Sequence, residues 1–349
     1  IPPMSTDSSD ETITIDRLDR QIIHALQSDG RASFSRIAEV LGSSEQTVAR
    51  RFRRLREAGV VQVVAIPETD RAGMGWMVRI QLQPASATSF AELISRRDDV
   101  SWVSMTAGGT EVVCSVRPRT REERDRMLLD RLPRTAQVIA MAPLAIMRPF
   151  VTTTSEWGAF GDPLTAEQAA ALAPDGSTRS RRRTAGVDVA ALGSEPTDAK
   201  LLTALRRDGR ASYADLAQAT GLTPAQAARR FDALLDSGRV YLDVDIAHEL
   251  LGFPVAAMLW ITVAPGDLEE VGSLVAEHDE SAFVAAISGN ANLFAGVRCR
   301  DVDELYRYVT RQLGSLPGIR GVEVSPVLRN VKQAGAIMDG PRLPDPLRR

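Results

Sequence analysis

Apolar residues recur at helical spacing through residues 16–58. Ile22, Ile23 and Leu26 mark one side of a helix that Asp16 can cap and Gly30 can end. Ile37, Ala38 and Leu41 mark a second, from Ser33 to the stop at Gly42. Val48, Phe52 and Leu55 mark a third, from Ser44 to about Ala58, with Gly59 behind it. Two short helices joined across a glycine turn, behind a supporting helix, make a helix-turn-helix. From residue 77 the period changes. Strands are expected over 77–82, 100–106, 111–116 and 138–147, with helices over 90–96 and 121–132, the second capped by Thr120 with Glu123 as its reciprocal partner.

The same order returns once. Residues 19–61 match 198–240 at a constant offset of 179, with seventeen of 43 positions identical and no gap. Asp29-Gly30-Arg31-Ala32-Ser33 recurs at Asp208-Gly209-Arg210-Ala211-Ser212, and Ala49-Arg50-Arg51-Phe52 at Ala228-Arg229-Arg230-Phe231. Ser212, Gly221 and Thr223 repeat the caps and stop, with Pro224 at the first helical position and Gln226 closing a capping box. The match extends weakly, at an offset of 181, from 108–113 to 289–294. Strands follow over 256–263, 282–288, 293–298 and 322–328, with helices over 267–277 and 301–313.

The expected class is α+β: two copies of a helix-turn-helix domain, winged or plain, each followed by a ferredoxin-like βαββαβ sensor domain. The boundaries expected are 14–68 for the first helix-turn-helix, 74–153 for the first sensor and assembly domain, and 154–194 for a linker. The second helix-turn-helix-like domain spans 195–246, the second sensor 253–332, and a tail 333–349. The linker carries a short helix candidate over 166–172 introduced by Thr165. After it comes an arginine run, Arg179 to Arg183, of the composition of a mobile connection. The Pro-rich tail reads as disordered. A βαββαβ sheet with both helices on one face needs a cover for the other. The natural cover is the sheet of the other copy or of another chain.

In a helix-turn-helix the last helix enters the major groove. Opposite its buried side lie Gln46, Arg50, Arg53 and Arg54. Gln46, Thr47 and Arg50, just after Ser44, are placed for base edges, whereas Arg53, Arg54 and Arg56 suit phosphates, and Arg51 counts with them among the DNA-binding residues. The second copy differs on this face: Gln46 becomes Ala225, Arg53 becomes Asp232 and Arg54 becomes Ala233. Arg229 and Arg230 remain. Residues 44–57 carry five arginines against two glutamates, and residues 223–236 two arginines against two aspartates. Fewer cations release fewer counterions, so the second motif is expected to keep its fold and add little DNA affinity.

A net charge of −3 speaks against a chain that coats nucleic acid over its whole surface, and leaves room for one basic face. Cys114 and Cys299 have no partners for a metal cluster or a disulfide framework. They read as small buried strand residues of a reducing, cytoplasmic protein. No apolar run reaches the roughly 18 residues of a membrane span. Val255–Val263 is the longest and reads as a buried strand. No phosphate loop or metal-ligand spacing is present, so no cofactor is expected. Met4 is the expected start of the native chain, after Ile1-Pro2-Pro3.

Leu18-Asp19 with the Asp29-Gly30-Arg31 turn, Arg51-Phe52-Arg53-Arg54-Leu55 running to Gly59, and the βαββαβ unit with its Gly108–Glu111 loop resemble the Lrp/AsnC family of feast/famine transcription regulators. The resemblance covers nearly the whole chain, twice. It implies a regulator that binds double-stranded DNA and is modulated by an amino acid or related small molecule. Family members are usually single units that assemble, so this chain looks like a covalent dimer that forms dimers or tetramers of double-length chains. By resemblance the effector positions are Thr106, Gly108, Gly109, Thr110 and Glu111 in the first copy. In the second they are Ser288, Gly289, Asn290, Ala291 and Asn292. The family often has an aspartate where this chain has Glu111 and Asn292, so the two sites are expected to differ. The competing readings are a siroheme-decarboxylase-like enzyme, which the three histidines His24, His248 and His278 ill suit, and a nucleoid-type or sensor protein without specific operators.

Overall fold

The computed structural model describes residues 13–67, 75–97, 99–118, 120–151, 157–172, 196–333 and 336–344. Three helices open the chain: α1 (Arg17–Ser28), α2 (Phe34–Leu41) and α3 (Glu45–Glu57). Each begins where its cap predicts. Asp16 and Asp19 exchange bonds in a capping box, the Ser33 side chain accepts from the Arg36 N–H and that of Ser44 from Thr47, and Gly42 ends α2 in the left-handed region. The counterparts in the second copy are α7 (Pro196–Arg207), α8 (Tyr213–Thr220) and α9 (Pro224–Asp236).

A strand not foreseen from the periodicity follows each block, β1 (Val61–Pro67) and β6 (Val240–Ile246). The two pair antiparallel in a ribbon of their own, Val63 opposite Val244. Both strands bury residues on both faces; β1 is a nearly continuous apolar run without the alternation of a half-exposed strand, whereas β6 does alternate, with Val240, Leu242, Val244 and Ile246 against Tyr241, Asp243 and Asp245. The ribbon joins the two helical units around one core containing Ile22, Leu26, Phe52, Val63, Phe231 and Val244.

The sensor units follow: β2 (Trp76–Leu82), α4 (Ala87–Ser95), β3 (Val100–Thr106), β4 (Glu111–Val116), α5 (Arg121–Asp125, widening into a π-turn over Arg126–Arg131) and β5 (Val138–Val151). The second has β7 (Val255–Val263), α10 (Leu268–Glu277), β8 (Ser281–Ile287), β9 (Leu293–Cys299), α11 (Val302–Arg307, with a π-turn over Tyr308–Gln312) and β10 (Ile319–Pro326). Strand order is β5-β2-β4-β3 in one and β10-β7-β9-β8 in the other, the ferredoxin-like arrangement in both. The long β5 runs on from its own sheet to pair with β8. After β10 the chain continues into β11 (Arg329–Gln333), which pairs with β3. Each copy therefore lends its last strand to the other's sheet. Between the sheets Met77, Val113, Met258, Trp260, Ile287 and Phe294 form a shared core, while each sheet buries its helices on its outer face. The cover expected for the open faces is thus supplied within the chain. Cys114 and Cys299 are buried in β4 and β9, and burial pushes both thiols up to about 12.

Two expectations need correction. The described part of the linker, residues 157–172, is docked: Trp157 and Phe160 are buried in the helical core, and α6 (Ala166–Leu172) packs on α2 behind a Thr165–Gln168 capping box. Two large aromatic rings outweigh the polar composition around them. The tail is docked as well. β12 (Ala336–Ile337) pairs with β11, Met338 and Leu343 are buried, and the Leu343 N–H donates to the Gly59 carbonyl at 2.9 Å. Gly59, with φ +69°, leaves the space that this backbone contact occupies. The arginine run over 179–183 lies outside the described residues.

Candidate nucleic-acid interface and ligand sites

Helix α3 buries Val48, Phe52 and Leu55 and turns Gln46, Arg50 and Arg53 outward, all three exposed. Ser44 and Thr47 are joined at 2.8 Å through their hydroxyls at the helix start. The other arginines are engaged within the chain. Arg51 reaches Asp16 at 2.6 Å and Asp19 at 3.0 Å, and Arg54 pairs with the second oxygen of Asp19. Asp19 is fully buried at the base of α1, and these cations offset the cost of burying its charge. Arg56 reaches Asp208 of the second copy at 3.4 Å. Arg51, Arg54 and Arg56 thus each have a partner within the chain, and Arg50 and Arg53 are the arginines of α3 without an ion pair among the described residues.

The second copy repeats the internal pairing. Arg230 holds the buried Asp198 at 2.6 and 2.8 Å, at the positions equivalent to Arg51 and Asp19. Its outward face keeps exposed Arg229, now beside exposed Asp232. The contrast in charge legible in the sequence therefore sharpens in three dimensions, to Gln46, Arg50 and Arg53 on one head against Ala225, Arg229 and Asp232 on the other.

The repeated Asp-Gly-Arg-Ala-Ser turn has a role that sequence reasoning missed. Arg31 donates to the Gly209 and Ala211 carbonyls at 3.0 Å each, and Arg210 returns to those of Gly30 and Ala32 at 2.7 and 2.9 Å. Each guanidinium also lies over rings of the opposite copy, Arg31 over Tyr213 and Phe231, Arg210 over Phe34 and Phe52. This reciprocal clasp fixes the two helix-turn-helix units against each other. Burial, with the charge of Arg31 beside it, lowers Arg210 to about 10. Retention of the same arginine at a constant offset in both copies was the available signal.

At the loops assigned to an effector by resemblance, the side chains of Thr106, Glu111, Ser288 and Asn292 already have partners. The buried Glu111 accepts from Thr106 at 2.8 Å and from Arg79, which also forks onto Glu323 of the second copy at 2.6 and 3.1 Å while lying over Trp260. Gly108, Gly109 and Thr110 form a short turn on positive-φ glycines beside it. In the second copy Asn292 bonds both the N–H and the carbonyl of Val263 at 2.8 Å, and Ser288 bonds Ala145 of β5. Gly289, Asn290 and Ala291 form the turn between them, and Leu144 approaches Gly289. The two loops thus differ, one built on a carboxylate and an arginine, the other on an amide.

Two of the three histidines belong to one aromatic cluster: His24 stacks on Phe160 at 4.3 Å, Phe160 meets Trp157, and Trp157 packs on the buried His248. His278 lies elsewhere, at 3.1 Å from the Tyr308 hydroxyl, and burial lowers the pKa of all three. No group of three or more metal-ligating side chains gathers among the described residues.

Family models match this architecture. The AsnC-type helix-turn-helix domain matches at residues 15–56 and 196–235, and the Lrp/AsnC ligand binding domain at 256–337. An uncharacterized HTH-type transcriptional regulator of Pyrococcus furiosus is 26% identical over 147 residues, 41% of this chain and 96% of that protein. The HTH-type transcriptional regulator FL11 of Pyrococcus abyssi is 28% identical over 119 residues, 33% of this chain and 79% of its own. These relatives match single units. A likeness over the double length comes from the crystal structure of the siroheme decarboxylase NirDL, with TM-score 0.53 and 16% identity over 91% of this chain and 93% of that one, a likeness of fold alone. With both helix-turn-helix copies and the ligand-binding unit matched in order, the chain belongs to the Lrp/AsnC family of transcriptional regulators, in a double-length form.

Proposed function

We propose that this chain is a cytoplasmic, sequence-specific DNA-binding regulator with one competent head, modulated by an amino acid or related small metabolite. The observation that carries the reading is the outward face of α3. Gln46 and Arg50 stand near its N-terminal end, where a recognition helix reaches base edges, and Arg53 follows one turn later with its charge unspent. On α9 the same face offers Arg229 against Asp232. A duplex contacted by α3 alone gives one half-site per chain. A pair of chains then supplies two heads to a two-fold operator, so assembly to dimers or tetramers of this chain is part of the proposal. Ser44, Thr47 and Arg56 support the helix start and the joint between copies. The loops at 106–111 and 288–292 are the effector positions proposed by resemblance, with exposed glycine backbone at both.

Anisotropy of labelled DNA from the region upstream of the protein's own coding sequence tests this at two salt concentrations. Arg50→Ala/Arg53→Ala should weaken binding and flatten the salt dependence by about 0.9 in log–log slope for each phosphate no longer neutralised. Arg229→Ala should bind as wild type. Equal weakening in both variants overturns the one-headed reading. Binding that is indifferent to sequence favours the nucleoid alternative.

A further inference from the structure

Beneath the β1–β6 ribbon, the two sensor sheets leave a cavity of about 130 Å³. β4 and β9 are equivalent strands at the offset of 181, and an arginine at matching positions lines the cavity from each copy, Arg117 just past the end of β4 and Arg298 within β9. Along β9 the residues alternate. Leu293, Ala295 and Val297 face the helices, whereas Phe294, Gly296 and Arg298 face the interior between the sheets. Arg298 is 5% exposed. Its Nη1 donates to the Val297 carbonyl at 3.1 Å, and no carboxylate pairs with it among the described residues. Asp243, the acidic residue of the lining, accepts from the Val244 N–H at 2.9 Å and has other partners. Burial lowers Arg298 to about 10, which leaves it cationic at neutral pH.

A buried, unneutralised guanidinium is costly, and its fork of donors matches a carboxylate. The walls around it are apolar, from Met77, Met258, Phe283 and Phe294. A chain of hydroxyl and amide groups, Trp102 Nε1 to Ser104 Oγ at 3.1 Å and Ser104 Oγ to Asn330 Oδ1 at 2.8 Å, closes one side. With Asp243 engaged, nothing in the lining is set to receive an ammonium group. The volume is of the order that holds a benzene-sized body, about 150 Å³.

We propose that this cavity binds a small apolar monocarboxylate, its carboxylate on Arg298 and its hydrocarbon body among the two methionines and two phenylalanines. The site is separate from both glycine loops. Its roof is Ile66 of β1 and Tyr241 and Asp243 of β6, the ribbon that joins the two DNA-binding units. A ligand that fits one seating of the ribbon better than another shifts the position of α3 by that difference in affinity. This consequence rests on the regulator reading above; the binding itself does not.

Calorimetric titration of the full chain with benzoate, and with benzylamine for comparison, tests the site. Benzoate should bind wild type and raise its melting temperature, and benzylamine should do neither. Arg298→Met should weaken benzoate at least about tenfold. Gly296→Leu keeps the arginine but fills the cavity from the same strand, where a Cβ would meet Phe283 in ordinary contact at 3.8 Å, and should abolish binding. Equal affinity in Arg298→Met, or no benzoate binding to folded wild type, overturns the proposal. Repeating the DNA titration with saturating benzoate separates the two readings. Benzoate binding with unchanged DNA affinity keeps the site and removes the coupling; failure of all DNA binding removes the regulator reading and leaves the calorimetry as it stands.

Discussion

The clasp between the helix-turn-helix units can be tested by removing one half of it. Arg210→Ala deletes hydrogen bonds to the Gly30 and Ala32 carbonyls and the stacking of the guanidinium over Phe34 and Phe52. Hydrogen bonds from a charged donor contribute about 1.5–3 kcal/mol each, and a cation over a ring about 0.5–1. Against these stands the desolvation of a largely buried guanidinium next to Arg31, which offsets roughly half of the gain. A net loss of about 3 kcal/mol is expected, or roughly 6–12 °C in melting temperature at about 2–4 °C per kcal/mol. Differential scanning calorimetry reads this directly. Arg31→Ala, which opens the same joint from the other side, should cost as much. The double variant should cost clearly less than the two added, because an open joint cannot be opened twice. Additive losses, or a shift below about 2 °C in either single variant, would refute the reasoning and leave the β1–β6 ribbon as the main tie between the units.

The buried Asp19 is the shared acceptor of Arg51 and Arg54, so Asp19→Asn should cost about 3 kcal/mol in urea unfolding, the lower end for a buried pair because both arginines are partly exposed; an unchanged midpoint would show the pairing to be incidental. Asp245, fully buried beside Asp243 with Gln333 reaching it at 3.5 Å, is held well above the usual carboxylate range by burial first and by its neighbour second. Its raised pKa means that stability present below its unfolded value of 3.8 is lost as pH rises toward the folded value. The melting temperature of Asp245→Asn relative to wild type should therefore rise as pH is raised above 3.8, and a constant difference would contradict this. In α10, Gly272 packs directly on the Phe150 ring of β5, so Gly272→Val should displace that ring at a cost of about 1–3 kcal/mol, read by thermal melting, with weaker β5–β8 protection in hydrogen exchange.

The sequence by itself determined the local pieces. Caps at Asp16, Ser33, Ser44, Ser212 and Thr223, stops at Gly42 and Gly221, and the strands of both sensor units stand within a few residues of where period and cap chemistry put them. These are short-range matters, settled by the dihedrals and hydrogen bonds of neighbouring residues. The internal repeat carried further. It offered the sheet of the other copy, or of another chain, as the cover for each open face, and the fold takes the first. The basic face of α3 was legible too, because residues at helical spacing share a side.

Tertiary structure alone decided which arginines remain free. Arg50, Arg51, Arg53 and Arg54 are alike in sequence, and a buried carboxylate 32 to 35 positions away takes two of them. It also decided that residues 157–172 and 336–344 are docked, since burial of Trp157, Phe160 and Leu343 depends on surfaces built by distant segments. The β1–β6 ribbon, the clasp of Arg31 and Arg210, and the unneutralised Arg298 between the sheets arise only when the two copies fold onto each other. Their partners lie in the other copy or on the opposite sheet, 178 to 180 residues away for the clasp, and no local pattern encodes a pairing whose second half is that distant.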